Sequence, residues 1–436
     1  MSISTSLVSV GWSLVAVAPA PVQPADRGID PSAPTAVTGA EVADTSPRVA
    51  GGLSAADGPR APEPGSLGKN AEPETEPETN PEPETPSRWR GFRIVSKDEE
   101  HSLAFGFLGQ LRTTVRDTTD ARLQGGVAVR LARPVLIANL WGGTVAMRLM
   151  PEFAGPAPSM LDGTVTIRAA DAFAVQLGQF RPWINRGFRT GLPVLGLPGR
   201  GAIVDRFRVD RDVGATVHGQ PFGGKFEYYV GVMNGSGRDM TTLAPSPLLT
   251  ARIVVAPLGA VPYVQTPYVR EVGPRSAGRR DEPTNPLAVA VGAGGYTVAG
   301  RESIVQPDGT VVRTEPRRRW GASGDLVVSR RRVFALAEGF YERRAAAAEL
   351  GVPAENSWGA YAQAGVLTWN PFVDLTMRAG FIDDGRPLAP LEPGINAYIF
   401  GNSGKLQLSY RCDVNAGQGE SGCFAHTGTL QAQLQF

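Results

Sequence analysis

The chain ends with the stretch Leu430-Gln431-Ala432-Gln433-Leu434-Gln435-Phe436, in which apolar and polar side chains alternate without interruption. Successive side chains of a β-strand point to opposite faces of the sheet. This stretch therefore predicts a strand with one apolar face, which ends in Phe436, and one face of glutamines. Such a strand separates an apolar medium from a polar one. The apolar medium is either a protein core or a lipid bilayer.

The same two-residue period returns throughout the chain from residue 101 onward. Examples are Phe226, Tyr228, Val230 and Val232 alternating with Glu227, Tyr229 and Gly231; Leu375, Met377, Ala379 and Phe381 alternating with Thr376, Arg378 and Gly380; and Leu406, Leu408 and Tyr410 alternating with Gln407 and Ser409. A soluble β-sandwich has the same alternation. A transmembrane barrel is favoured because the segments run about ten residues, the length of a tilted membrane-spanning strand, and because aromatic residues lie near their ends.

A sheet that spans a membrane must close on itself, because lipid offers no partner for the backbone groups of an open edge. The alternation predicts sixteen strands, near 103–115, 121–132, 136–150, 163–170, 172–180, 210–218, 225–233, 248–256, 287–298, 320–329, 332–342, 358–369, 372–382, 394–401, 404–412 and 424–436. Residues 261–270 could add a strand, so eighteen strands is the alternative. We expect an all-β, sixteen-stranded antiparallel transmembrane β-barrel at 101–436. A C-terminal phenylalanine that closes an alternating strand resembles the sorting signal of bacterial outer-membrane barrels.

The residues before the predicted barrel have a different composition. Residues 7–17 are apolar, and Ala18-Pro19-Ala20 follows as a small-residue cleavage pattern, so residues 1–20 are predicted to be an export signal peptide. Residues 21–100 are rich in proline and glutamate, and Glu-Pro-Glu-Thr occurs at 72–75, 76–79 and 82–85. Such a segment buries too little apolar surface to fold. We therefore expect a disordered linker, placed in the periplasm.

Charge is segregated along the chain although the formal net charge is only +1. Residues 1–100 hold 8 Lys/Arg and 15 Asp/Glu, whereas residues 101–436 hold 35 and 27. The predicted barrel is thus basic, which suits anionic solutes or an anionic surface. Nearly all of its cations are arginines, since the only lysines of the whole chain are Lys69, Lys97, Lys225 and Lys405.

Cys412 and Cys423 are the only cysteines. In an exported protein, two cysteines so close together suggest one local disulfide. Free thiols are one alternative, and a metal site that also uses His426 is another.

Several short motifs, taken in order, resemble the phosphate-selective porin O and P family over roughly residues 100–436. The motifs are Leu177-Gly178-Gln179-Phe180-Arg181-Pro182, Val209–Gly214, Tyr229–Gly237, Trp358–Gln363, Ile395–Tyr398 and Gly404–Leu408. The resemblance implies a water-filled pore of sixteen strands, usually a homotrimer, that passes small anions. It also implies a constriction loop folded inward after the fifth strand, which matches the long connection at 181–209. The lysine cluster associated with phosphate selectivity in that family is missing, because lysine is nearly absent.

The connection at 181–209 is the predicted site of selectivity, since pore width and lining charge decide which ions pass. Its arginines, taken as candidate solute-binding residues, are Arg181, Arg186, Arg189, Arg200, Arg206 and Arg208. Guanidinium groups in a narrow pore favour anions and bind carboxylate or phosphate through two hydrogen bonds. The alternative is that they pair with acids of the barrel wall, such as Glu227 or Asp374. Cations that the alternation places on the polar face, and hence in the predicted pore lining, are Arg112, Lys225, Arg378, Lys405 and Arg411.

Motifs of common hydrolases and nucleotide-binding enzymes do not occur. The chain has neither a Gly-x-Ser-x-Gly elbow, nor a Walker loop, nor a His-Glu-x-x-His motif, and its histidines, His101, His218 and His426, lie far apart in sequence. We therefore expect a non-enzymatic porin without cofactor or bound nucleic acid, in contact with outer-membrane lipid and lipopolysaccharide. Its predicted role is the passive diffusion of small hydrophilic solutes, with a preference for anions. The alternative is a structural or adhesive barrel that does not conduct.

Overall fold

The computed structural model describes residues 92–118, 121–240, 244–267, 287–305, 311–348, 351–385, 387–415 and 422–436. The signal peptide predicted at 1–20 and most of the linker predicted at 21–100 lie outside the described residues. Within the described part of that linker range, Phe92–Val95 forms a strand.

The secondary structure is almost entirely extended. The strands are β1 Phe92–Val95, β2 Ser102–Thr118, β3 Ala121–Leu140, β4 Val145–Glu152, β5 Ser159–Ala170, β6 Phe173–Phe180, β7 Asp212–Gly219, β8 Phe226–Met233, β9 Ser246–Val255, β10 Ala288–Val305, β11 Val311–Arg330, β12 Val333–Arg344, β13 Glu355–Leu367, β14 Val373–Asp383, β15 Leu388–Tyr398, β16 Gly404–Asn415 and β17 Cys423–Gln435. Between β6 and β7 lie α1 Arg186–Arg189, a 3-10 turn Leu192–Val194 and α2 Ala202–Phe207. Among the described residues, no helix has the length and apolar character needed to cross a membrane.

The sheet closes into a barrel. Each strand from β2 to β17 pairs with its chain neighbour in antiparallel fashion, and β17 closes the ring by pairing with β2, where Gln435 lies opposite Leu108. Within the described ranges the barrel has sixteen strands, as the alternation predicts. The eighteen-strand alternative needed a strand at 261–270, and the described part of that stretch, up to Pro267, contains none. Closure gives every wall strand a partner on both sides, as lipid requires.

Alternation along the strands produces an apolar outer face and a polar inner one. In β16, Leu406, Leu408 and Tyr410 point outward and are 43%, 52% and 47% exposed, whereas Lys405 and Gln407 are buried inside. The same strict alternation of exposed and buried residues runs through β13. An exposed face of leucine, valine and methionine suits contact with lipid rather than with water.

The chain enters and leaves the barrel at one end, called the terminal end. Phe436 exchanges two backbone hydrogen bonds with Phe107 in β2, of 3.0 and 3.1 Å. Phe92, the first residue of β1, pairs with Phe105 just beyond that point. β1 therefore continues the line of β17 along the edge of β2, and the C-terminal phenylalanine is fixed between the two.

The turn predicted at Arg133-Pro134 is wrong. β3 runs unbroken from Ala121 to Leu140, and the turn follows at 141–144, so the predicted strands 121–132 and 136–150 correspond to β3 and β4 with a shifted boundary. Pro134 cannot donate a backbone hydrogen bond, but the ladder between β3 and β4 begins only at Leu136. Proline is tolerated where a strand needs no donor on that side.

Cys412 and Cys423, the pair predicted to form a disulfide, are joined by one. It links the end of β16 to the start of β17, at the end of the barrel opposite to the terminal end. The disulfide therefore closes the last loop of the barrel.

The outward orientation of the apolar face yields a stability prediction. Met377 lies midway along β14 and is 51% exposed, so Met377→Arg places a charge in the bilayer core and should cost about 2–4 kcal/mol of unfolding free energy. Ala172→Arg, in the turn between β5 and β6, should cost less than about 1 kcal/mol because it lies at the membrane interface. Urea unfolding in lipid vesicles measures both. Equal costs for the two variants would contradict a lipid-facing surface.

Candidate functional site

The connection between β6 and β7, residues 181–211, folds into the barrel interior and is called the constriction loop. Residues 182–190 and 193–198 are buried throughout. Asn185 caps α1 by accepting a hydrogen bond of 2.8 Å from the backbone N–H of Phe188. The loop follows the fifth barrel strand, which is the place where the family resemblance implied an inward loop.

Side chains of the wall hold the loop by donating to its carbonyl groups. The donor and acceptor pairs are Gln433 to Pro193 (3.1 Å), Lys405 to Leu195 (2.8 Å), Asn396 to Gly196 (2.7 Å), Arg378 to Gly199 (3.0 Å) and Arg112 to Pro198. A buried carbonyl without a partner is unfavourable by about 1–3 kcal/mol, so these donors stabilise an irregular backbone inside the barrel. Arg112, Arg378 and Lys405, which the alternation predicted to line the pore, thus contact the loop.

A wall carboxylate holds the loop on its other side. Glu338 of β12 accepts hydrogen bonds from the backbone N–H groups of Arg186 (2.7 Å) and Gly187 (2.9 Å) and from the hydroxyl of Tyr361 (2.9 Å). Glu338 is only 2% exposed. Because this one carboxyl group accepts from two successive backbone N–H groups, Glu338 fixes the first turn of α1.

Apolar side chains of the loop pack against one half of the wall. Buried together are Phe188, Ile203, Val204 and Phe207 of the loop and Val254, Val327, Phe334, Leu336, Phe340, Tyr361 and Ile382 of β9 and β11–β14. Trp183 and Ile184 pack in the same way with Tyr229, Leu248 and Tyr296 of β8–β10. These apolar contacts place part of the loop along β8–β14, and the donors named above bind its residues 193–199 to β14–β17 and to Arg112 of β2.

Three of the predicted solute-binding arginines are bound within this packing. Arg186 is 1% exposed and lies 4.3 Å from the ring centre of Tyr263, and Arg189 lies 3.3 Å from that of Trp183. Arg200 donates to the carbonyl of Thr190 at 2.7 Å. Burial lowers the pKa of Arg189 to about 9 and that of Arg200 well below its usual value. Their hydrogen bonds and ring contacts shape the loop.

The other loop arginines lie closer to open space. Arg206 binds Asp384 at 2.9 Å and Glu342 at 3.3 Å, and although burial opposes it, these two acids raise its pKa. Arg208 pairs with Asp205 at 3.1 Å, and its side chain is 43% exposed. Arg181 donates to the carbonyl of Phe188 at 2.6 Å, and burial lowers its pKa to about 9, which leaves it charged at neutral pH.

The remaining predicted pore-lining cations differ in position. Lys225 lies in the turn that precedes β8, at the terminal end, and is exposed, so the wall position predicted for it is corrected to a turn. The strand begins one residue later, at Phe226. Arg411 of β16 faces inward and pairs with Asp413 at 2.6 Å, with 31% of its side chain exposed.

A cluster of arginines lies beside β2–β5, and it joins three predicted site residues to four that the sequence reasoning missed, Arg130, Arg133, Arg148 and Arg211. Arg148 of β4 and Arg211 of the loop both reach Asp162 of β5, at 3.8 and 2.6 Å. Arg133 of β3 binds Glu152 of β4 at 2.5 Å. The charges of Arg112, Arg130, Arg133, Arg181, Arg200 and Arg211 lie within electrostatic range of one another. The arginine cluster is defined as Arg112, Arg130, Arg133, Arg148, Arg181, Arg200 and Arg211.

The arginine cluster is not neutralised by its acids. Within the part of the chain that the structure describes, five carboxylates act on these seven guanidinium groups: Glu152, Asp162, Asp205, Asp210 and Glu392. The formal excess is two positive charges. Glu392 also pairs with Arg378 at 2.6 Å, which reduces its effect on the cluster.

Part of the cluster could have been found from sequence. In β4, Met147 and Leu149 are exposed on the outer face, so the period of two places Arg148 inside. Arg130 and Arg133 were not predicted to line the interior, because the register of β3 against β2 shifts between Val129 and Leu131. A bulge of this kind changes which residues face inward, and the wrong turn at Pro134 concealed it.

Comparison with solved structures identifies the fold. Vibrio cholerae OmpT, an outer-membrane protein, superposes with a TM-score of 0.51 at 12% identity over 78% of this chain and 99% of that chain. The outer-membrane channel DcaP of Acinetobacter baumannii gives 0.51 at 12% identity over 79% and 99%. Salmonella typhi OmpF, solved in complex with daunomycin, gives 0.50 at 9% identity over 79% and 100%. The chain thus has the fold of these outer-membrane proteins.

Sequence comparisons add nothing to this likeness. No family model matches the chain, and no curated protein matches it in sequence.

The pairing of Asp162 with Arg211 yields a prediction. Asp162→Asn keeps the side-chain shape but leaves the buried Arg211 without its closest carboxylate, so we expect a loss of about 3 kcal/mol of unfolding free energy. Asp210→Asn is the matched control, because Asp210 is 51% exposed and lies 4.0 Å from the same arginine. An exposed pair contributes less than about 1 kcal/mol. Denaturant titration in vesicles tests both, and similar losses would show that the buried pair has no special role.

Proposed function

We propose that this chain forms a water-filled channel in the outer membrane of a Gram-negative bacterium and passes small hydrophilic solutes by diffusion, anions in preference to cations. The barrel fold, which it shares with outer-membrane channels such as DcaP, supports the channel. The loop inside the barrel supports a narrow aperture rather than an open tube.

The arginine cluster is the observation that supports the preference for anions. The loop packs along β8–β14 and is also bound by donors of β14–β17 and by Arg112 of β2, so the conducting path of the proposed channel runs along β3–β6, beside the cluster. Like charges in a narrow cleft with low-dielectric walls raise the local concentration of ions of the opposite sign. The formal excess of positive charge therefore attracts anions into the aperture and repels cations.

The acids among the arginines have a role in this mechanism. Conduction requires an ion to be bound firmly enough to enter and weakly enough to leave. Asp162 and Glu152 occupy hydrogen-bonding positions on Arg211 and Arg133, at 2.6 and 2.5 Å. A passing anion then shares these guanidinium groups with a resident carboxylate, which keeps each binding site shallow. Arg130, which is exposed, offers its donors more freely.

Phosphate selectivity is not part of the proposal. The porin O and P resemblance implied a lysine cluster, but Lys405 donates to a loop carbonyl and Lys225 lies in an exposed turn. Membership of that family stays a prediction. A homotrimer and contacts with outer-membrane lipid and lipopolysaccharide complete the proposal and are supported by the fold. A cleaved signal peptide and a periplasmic linker are also part of it and are supported by the sequence alone.

One observation favours the alternative of a structural or adhesive barrel that does not conduct. Loop and wall side chains fill the interior along β8–β14, where Phe207 stacks on Phe340 with ring centres 5.3 Å apart. If the remaining space along β3–β6 were too narrow for hydrated ions, the barrel would be closed. Conductance of the purified, folded protein in a planar bilayer separates the two functions.

Charge removal in the arginine cluster tests the preference for anions. A unit charge about 8 Å from a passing ion contributes about 0.5 kcal/mol in a water-like medium. The charge lowers the energy of a passing anion and raises that of a passing cation by about the same amount, so the two effects add in the permeability ratio. Arg130→Gln should therefore lower the anion-to-cation permeability ratio by up to about fivefold, and the double variant with Arg148→Gln should lower it by more. Reversal potentials under a KCl gradient measure the ratio, with about 59 mV as the limit for ideal selectivity in a tenfold gradient.

The matched control is Lys225→Gln, which removes one positive charge from the exposed turn outside the pore. It should leave the permeability ratio unchanged. Cation selectivity of the unmodified protein would reject the preference for anions and leave the channel standing. An equal effect of the Lys225 and Arg130 variants would show that net charge, and not the cluster, sets the selectivity.

A further inference from the structure

The connection from β9 to β10 departs from the tight turns found elsewhere at the terminal end, such as the two residues between β11 and β12. Its described part, residues 256–267, turns into the barrel. Tyr263, Gln265 and Thr266 are only 1–2% exposed. Buried residues in a connection at the rim show that this segment occupies interior space.

Residues 261–267 contact the constriction loop through backbone and side chains. The N–H of Gln265 donates to the carbonyl of Val194 at 3.0 Å. The guanidinium of Arg186 donates to the carbonyl of Pro262 at 2.7 Å and lies over the ring of Tyr263. Two parts of the loop, α1 and the 3-10 turn, are therefore bound to the same segment.

The segment is also bound to the wall, so it is not carried passively by the loop. The hydroxyl of Tyr263 donates to Glu227 of β8 at 3.1 Å, and the side-chain amide of Gln363 in β13 lies 3.5 Å from the carbonyl of Gln265. The fit against the loop is close, since a Cβ at Gly196 would lie 2.4 Å from the carbonyl oxygen of Gln265. A fixed segment in close contact with a loop restricts where that loop can lie.

We propose that residues 261–267 form a positioning segment that holds the constriction loop against β8–β14 and thereby sets both the width and the anion preference of the channel. The proposal rests on the proposed function. The loop supplies Arg181, Arg200 and Arg211 to the arginine cluster, so a loop that leaves β8–β14 removes these charges from their places beside β3–β5. Arg186 and Tyr263 are then positioning residues, which act on the solute through the loop.

Replacement of residues 261–267 by a glycine–serine segment of equal length tests this proposal in the full chain. Chain length and barrel closure are kept, while the contacts to the loop are lost. We expect a larger single-channel conductance, entry of larger neutral sugars in a liposome-swelling assay, and an anion-to-cation permeability ratio that falls toward one. Heat-modifiable mobility on a detergent gel shows that the variant is folded.

A pair of point variants refines the test. Tyr263→Ala removes the ring that Arg186 and Trp183 contact, whereas Tyr263→Phe keeps the ring and loses the hydroxyl, which binds the wall residues Glu227 and Arg252. We expect the permeability ratio to fall in the first variant and to stay near its original value in the second. In combination with Arg186→Gln, Tyr263→Ala should have less than the sum of the two separate effects, because both variants break one contact.

A readout that does not depend on conduction separates this proposal from the proposed function. Hydrogen exchange of the peptide that covers residues 183–197 should become faster in the glycine–serine variant, whether or not the protein conducts. Faster exchange in a non-conducting protein would support the positioning contact and reject the channel. Unchanged exchange, or altered stability with unchanged conductance and permeability ratio in a folded variant, would show that the segment only fills space, and would overturn the proposal.

Discussion

Lipid offers no hydrogen-bond partner to a backbone group, and the rest of this structure depends on that constraint. The wall meets it by closing, through the pairing of β17 with β2. Closure creates an interior, and the constriction loop brings irregular backbone into it. Buried carbonyl and amide groups of that loop need partners as much as those of the wall do. A polar inner face is therefore not enough. The inner face of the barrel must supply donors and acceptors at the positions that lie opposite the carbonyl and amide groups of the loop.

This requirement divides the cations of the interior into two kinds. Lys405 and Arg378 donate to the carbonyls of Leu195 and Gly199, so their charges are engaged by the loop. Arg130 does not contact a loop carbonyl among the described hydrogen bonds, and Arg148 pairs with Asp162 of the wall. A basic sequence thus does not by itself make an anion channel. What matters is how many guanidinium groups remain beside the path after the backbone has been satisfied.

The sequence predicted the fold well because its strongest signal is local. A period of two is set by the geometry of a single strand, and it located sixteen strands without any knowledge of their partners. The inward loop was implied by the family resemblance. It failed at Pro134, where tolerance of a proline depends on the neighbouring strand. The site was harder to predict for the same reason: Arg186 and Arg208 are both arginines of one loop, yet one lies over Tyr263 and the other pairs with the exposed Asp205. Which role an arginine takes is decided by residues distant in sequence.

The packing of the loop and the charge of the proposed path are connected. The inner faces of β8–β13 carry large aromatic residues, Tyr229, Phe334 and Phe340 among them, which suit an apolar loop but would be out of place in a wall facing water. The inner faces of β3 and β4 carry Arg133 and Arg148. The loop carries both apolar and basic side chains. Its apolar side chains pack against the aromatic residues of β8–β13, and its arginines then point toward β3 and β4. The packed half then forms a low-dielectric wall beside the arginine cluster, and such a wall focuses the field of the cluster into the open half. Packing and selectivity therefore follow from one asymmetry in the inward-facing residues.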